Sequence, residues 1–134
     1  MNYSTNLLGQ VQANLDSFCQ KQRSDFEAIS ADLIPVVDYT QSLLQGGKRF
    51  RALFCYWAWK SCLDDSSYHQ SEQEIKDSEL AIAGIAASLE MFHAAALVHD
   101  DLLDQSDTRR GAPAIHKRFE SLHKEKQWAG APER

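Results

Sequence analysis

Cysteine is scarce. The three present, Cys19, Cys55 and Cys62, are odd in number and widely spaced, and no CxxC pair occurs, which excludes a disulfide frame and a cysteine zinc site. They read as reduced, buried thiols of a cytoplasmic protein, with Cys55 and Cys62 packing into a core from one helix. Basic charge is in deficit too. A formal net charge of -5 gives no overall attraction to nucleic acid or to an acidic membrane surface, so any basic site must be local. The opening MNYSTNLLGQVQANLD lacks the basic-then-apolar order of a signal peptide. No membrane span is expected either: the most apolar stretch, residues 80–98, carries Ser88, Glu90 and His93 and reads as the buried helix of a soluble protein. Repeats, low-complexity tracts and convincing strand alternation are all missing.

What is there is helical periodicity in a chain of 134 residues, 43% apolar and 25% charged, enough for one modest domain with a limited core. Val11, Leu15, Phe18 and Cys19 recur at helical spacing, as do Phe26, Ile29 and Leu33. Pro35 interrupts that second run and suits the first turn of a third, through Val36, Val37, Tyr39, Leu43 and Leu44, which stops at Gly46-Gly47. A fourth helix is expected over residues 50–63, and the polar string DDSSYHQSEQEIKD after it is the best loop. Within that string Ser71 and Glu74 fit a capping box, so a long helix begins there and runs into DDLLD. Residues 106–113 read as a turn, followed by a short amphipathic segment through Phe119 and Leu122. The fold class is all-α, with antiparallel helices joined by short loops.

The informative anomaly is acidic. Asp100, Asp101 and Asp104 end the most apolar helix, the element expected in the middle of the bundle, where carboxylates rarely sit unless paired or bound to metal. Asp100 and Asp104, four apart, project from one helix face and repel unless a cation bridges them. Their hard oxygens suit Mg²⁺, which keeps waters and takes further ligands from phosphates. A solvated acidic helix end is the plain alternative, and an EF-hand fails on spacing and on its missing glycine. Cations flank the acids: Gly46-Gly47 leads into Lys48, Arg49 and Arg51, and Asp107 into Arg109, Arg110 and Gly111. Arginine forks match phosphate oxygens, lysine adds a point charge, and a glycine turn before a helix frees N–H groups toward an anion. His93 on its own is a satisfied core histidine. Together these groups supply metal ligands and cations for two phosphorylated ligands.

In this order, GGKRFR (46–51), LEMFHAAALVHDDLLD (89–104) and DTRRGAPAIH (107–116) resemble the trans-isoprenyl (polyprenyl) diphosphate synthases. The resemblance covers nearly the whole chain and implies the N-terminal part, residues 1–134, of a single isoprenoid-synthase helical bundle. It implies that Asp100 and Asp104 hold Mg²⁺ against an allylic diphosphate and that Asp101 orients waters and neighbours. It gives Arg109 to the allylic diphosphate and Lys48, Arg51, His93 and Arg110 to the diphosphate of isopentenyl diphosphate, with Arg49 and Asp107 in support. The implied reaction is ionisation of the allylic C–O bond, attack by the isopentenyl double bond, then proton loss. Small Ala95 and Ala96, five and four before Asp100, imply a product of geranylgeranyl length or longer, with Met91 or Phe92 as a lower floor.

A second aspartate-rich motif is missing: beyond Asp107 the acids are Glu120, Glu125 and Glu133. The chain therefore reads as the first half of its fold, expected to be inactive alone and to expose apolar faces that favour self-association. Full-length relatives are expected as homodimers. Two rival readings remain, an HD-type metal phosphohydrolase built on His99-Asp100 and a non-catalytic subunit of a synthase.

Overall fold

The computed structural model describes residues 3–65 and 71–132. Five α-helices and one minimal hairpin make up its regular elements: α1 (Tyr3–Ile29), α2 (Ile34–Leu44), α3 (Phe50–Asp65), α4 (Glu72–Leu103), β1 (Thr108–Arg109), β2 (Ala112–Pro113) and α5 (Ile115–Glu125). The all-α expectation holds, and the hairpin is a feature the periodicity did not announce. The chain forms two compact units, Met1–Phe92 and His93–Arg134, with α4 passing from one into the other.

The two apolar runs before Pro35 divide differently from the sequence reading. α1 continues through Phe26 to Ile29, and only Leu33 of the second run falls beyond it, in a 3-10 turn over Ala31–Leu33. Ser30 caps that turn, its Oγ accepting from the Asp32 N–H at 3.2 Å. Proline then sits in the first turn of α2, where a missing N–H costs nothing. The α2 stop is glycine-made: Gly46 and Gly47 adopt φ +70° and +86°, which a side chain resists.

In the first unit, Leu7, Val11, Leu15 and Cys19 form the buried stripe of α1 at intervals of four. Val37 and Leu44 of α2, Ala52 and Tyr56 of α3, and Ile82, Ala83, Ala86 and Ala87 of α4 are buried as well. The Tyr56 hydroxyl donates to Glu79 at 3.2 Å, so its polar end is satisfied. The capping box forms as expected: Glu74 accepts from the Ser71 N–H at 2.8 Å, and the Glu74 N–H donates back to Ser71 Oγ at 3.3 Å. The Ser71 N–H, and then the Ser71 hydroxyl donating at 2.8 Å, hold the Glu74 carboxyl below its ordinary pKa. Part of the loop expected before it, residues 66–70, lies outside the described residues, as do Glu133 and Arg134 of the tail.

Two expectations are corrected. α4 is not a helix buried on all sides. Ala83, Ala86, Ala87 and Ala94 are covered, but Ile85 is 54% and Phe92 75% exposed, and only a third of its most apolar window is buried. By length and composition this one helix among the described residues would suffice to cross a membrane. Nor are all the cysteines core: Cys19 is buried, Cys55 half-buried and Cys62 exposed. The cause is the same. α3 and α4 carry apolar side chains around their whole circumference, so apolar identity does not select the covered face. Burial, and then the Asp16 charge, raise the Cys19 thiol pKa, which suppresses its thiolate. Maleimide labelling followed by mass spectrometry is expected to modify Cys62 first, Cys55 next and Cys19 last. Cys19 reacting as fast as Cys62 would contradict this core.

Candidate active site

The second unit holds the acidic end of α4. Its last turn carries Asp100 and Asp101 with no basic residue, and Asp104 follows directly. The helical bond from the Asp104 N–H to the Asp100 carbonyl, 2.9 Å, keeps these two a turn apart on one face. Both are exposed, the Asp100 side chain to 61%. The buried setting expected for these carboxylates is thus corrected: only Asp101 is covered, at 4% exposure. A buried carboxylate needs a partner, and Asp101 has one. Arg109 Nε donates to both of its oxygens at 3.0 Å and Nη2 donates to Oδ1. Arg109 Nη2 also lies 3.6 Å from Asp100 Oδ2. The Asp101 hydrogen bonds, helped by the charges of Asp101, Asp100 and Asp104, raise the Arg109 pKa beyond its already high value.

The hairpin makes this pairing possible. Arg110 and Gly111 take φ +53° and +80°, the doubly left-handed pattern of a tight two-residue turn, and Arg109 pairs across it with Ala112. Glycine meets that demand freely, whereas Arg110 adopts it at some cost. The turn leaves Arg110 exposed and sends Arg109 back to the end of α4. Asp107 closes the base of the hairpin: its carbonyl accepts from the Ala114 N–H at 2.9 Å, and its carboxylate faces Lys117 Nζ at 3.7 Å.

Mg²⁺ fits this donor set. Asp100 and Asp104 offer hard oxygens open to water, and no cluster of three or more metal-ligating side chains exists among the described residues. Mg²⁺ accepts one or two carboxylates when waters and substrate phosphates complete its shell. The HD rival requires His99 as a ligand backed by further histidines. Its Nδ1 lies 3.1 Å from the Ala95 carbonyl of its own helix.

The first unit holds the second group of expected site residues. Lys48 and Arg51 are exposed on either side of the α3 N-terminus, with Lys48 Nζ 5.8 Å from the centre of the Phe50 ring. Arg49, between them, turns inward and is only 9% exposed at its side chain. Its Nη1 donates to Glu90 at 3.3 Å, and its Nη2 donates to Gln12 at 2.7 Å and to the Leu44 carbonyl. Glu90 also accepts from the Ala52 N–H at 3.3 Å. His93 and Arg110 belong to the second unit, with His93 half-buried. Sequence reasoning missed Glu90 and Gln12 as site-building residues. The available signal was Glu90 itself, a carboxylate inside an alanine-rich helix, which demands a partner.

Of the small residues read as the pocket wall, Ala95 and Ala96 are exposed. Within the first unit Met91 lines a groove of about 310 Å³ with Leu15, Phe18, Gly84, Ala87 and Ser88. Phe92 points to solvent, so of the two candidates for a lower floor Met91 is the one facing a groove.

Residues 35–123 match the polyprenyl synthetase family. The farnesyl diphosphate synthase of Haemophilus influenzae is 30% identical over 122 residues, which are 90% of this chain and 36% of the relative. A chloroplastic geranylgeranyl pyrophosphate synthase of Arabidopsis thaliana is 39% identical over 80 residues, 58% of this chain and 19% of the relative. Among solved structures, the geranylgeranyl pyrophosphate synthase of Corynebacterium glutamicum, crystallised with isoprenyl diphosphate and magnesium, superposes with a TM-score of 0.72. It is 34% identical, and the match covers 92% of this chain and 33% of that one. The chain thus spans about a third, or less, of the length of these relatives. A family match extending over more than half of its residues, with the isoprenoid-synthase helices to go with it, settles kinship: this chain belongs to the polyprenyl synthetase family.

Proposed function

We propose that this chain carries the allylic half-site of a prenyltransferase, with the roles the sequence suggested, as the N-terminal part of one synthase domain. The observation that carries this is the division of labour at the end of α4. Asp101 is buried and occupied with Arg109, while Asp100 and Asp104 stand open, a turn apart. Carboxylates meant only to solvate a helix end would not require an arginine locked beside them.

Asp100 and Asp104 would hold Mg²⁺. When bound, the metal would supply Lewis-acid stabilisation of the departing diphosphate. Arg109, already fixed by Asp101, keeps its Nη2 edge beside Asp100 and needs no reorganisation to meet diphosphate oxygens there. Lys48 and Arg51, with His93 and Arg110, are assigned to the diphosphate of isopentenyl diphosphate. Lys48, exposed and resting near the Phe50 ring, is open to an anion. Small Ala95 and Ala96 favour a hydrocarbon of geranylgeranyl length or longer.

The chain alone is proposed to be inactive, because no second aspartate-rich motif follows Asp107. The homodimer expected of full-length relatives stays part of this reading, supported by the exposed Ile85, Leu89 and Phe92 of α4. A strictly monomeric chain in sedimentation equilibrium would count against it.

Calorimetric titration with geranyl diphosphate, with and without Mg²⁺, tests the half-site. Binding is expected only with the metal, and its loss is expected in Asp100→Ala/Asp104→Ala. Binding that ignores both the metal and these aspartates refutes the reading. Turnover of isopentenyl and geranyl diphosphates by the purified chain would refute its inactivity.

A further inference from the structure

The GGKRFR loop offers three cations within four residues, yet one of them is spent internally. Arg49 is a non-glycine residue at φ +51°, a conformation that the two glycines just before Lys48 adopt freely and a side chain resists. Residues held this way persist only where their surroundings over-determine them. Here the surroundings are Glu90 and Gln12. One Glu90 oxygen accepts from Arg49 Nη1, and the other accepts from the Ala52 N–H, each at 3.3 Å. A single carboxylate from α4 thereby clasps both sides of the short segment that starts α3. Gln12 accepts from Arg49 at 2.7 Å while its own amide donates to Asp16 at 3.0 Å, which fixes the amide's direction.

We propose that Glu90, acting through Arg49 with Gln12 as its second anchor, is a positioning residue for the anion-binding loop. It sets the direction in which Lys48 and Arg51 are displayed and withdraws the Arg49 guanidinium from the ligand. The inference rests on reading this loop as a diphosphate site. A purely stabilising role explains the geometry less well. Buried ion pairs are often matched or exceeded in stability by apolar residues of similar volume, and an apolar pair would not need Arg49 in a left-handed conformation. It would also leave the Ala52 N–H without its side-chain acceptor.

The test measures the affinity of the 134-residue chain for inorganic pyrophosphate in EDTA, which removes the metal-dependent site from the readout. Glu90→Gln keeps the shape and one acceptor oxygen while removing the charge that holds Arg49. It is expected to weaken binding about tenfold with helix content unchanged. The decisive readout is coupling to Lys48, for which no contact with Glu90 is seen. Lys48→Ala is expected to cost about tenfold in the wild-type background and no more than about twofold in Glu90→Gln. Should Glu90→Gln fail to fold, Arg49→Lys takes its place, keeping the charge and losing the fork, with the same coupling expected. Full affinity together with a full Lys48 effect in either folded variant overturns the proposal and leaves the diphosphate reading intact. Wild-type affinity that ignores both Lys48→Ala and Arg51→Ala overturns that reading, and this inference falls with it.

Discussion

Replacing the three aspartates of the DDLLD motif one at a time is expected to move stability in opposite directions. Asp101→Ala should destabilise the chain by about 2 kcal/mol, whereas Asp104→Asn should stabilise it by about 0.5 kcal/mol and Asp100→Asn, which also gives up its contact with Arg109, should change it little. Asp101 is 5% exposed at its side chain and takes three donor contacts from Arg109. Its removal leaves a partly covered guanidinium without its main partner. Removing one member of a fully buried pair costs about 3–5 kcal/mol, and the lower figure follows because Arg109 remains 29% exposed and can turn to Asp100 or water. Asp100 and Asp104 sit at the wrong end of a helix dipole, with no basic residue in the last turn and a like charge four positions away. Neutralising either relieves both penalties, offset at Asp100 by the lost Arg109 contact, while removing a proposed Mg²⁺ ligand. Urea denaturation without Mg²⁺ checks the ranking. If Asp104→Asn proves as damaging as Asp101→Ala, then Asp104 is also a structural residue and the division of labour fails.

Much of this arrangement was legible from local chemistry. Gly46-Gly47, Pro35 and the Ser71/Glu74 box each act within a few residues, and each produced the stop, start or cap that its backbone preference dictates. The order of basic and acidic motifs was legible for a similar reason, since spacing along one helix fixes which side chains share a face. Partnerships between distant segments were not. Nothing within GGKRFR says that Arg49 is the cation that turns inward, because that depends on Glu90, which is brought alongside only by the packing of α4. Likewise Asp101 and Asp100 are neighbours of one type, and their separation into buried and exposed follows from the hairpin that delivers Arg109. The hairpin escaped notice because strands of two residues are too short to alternate.

Burial in α3 and α4 was the least legible feature, and a leucine comparison exposes the reason. Leu44→Ala is expected to cost about 3 kcal/mol, and Leu80→Ala less than about 0.5 kcal/mol. Both are leucines in apolar helical runs, and sequence alone treats them alike. Leu44, at 2% exposure, is among the most completely buried large side chains of the first unit, so truncation forfeits its transfer free energy and leaves a cavity. It also ends α2, where its carbonyl accepts from Arg49 Nη2, so a cavity there loosens the same loop that displays Lys48 and Arg51. Leu80 is 64% exposed on α4, and its removal deletes surface that water already covers. Denaturant midpoints at unchanged m-value separate the two variants. Equal losses would mean that Leu80 is covered in solution, as self-association through the open face of α4 would make it. In that case the loss at Leu80 should diminish on dilution, while the loss at Leu44, which belongs to the fold itself, should not.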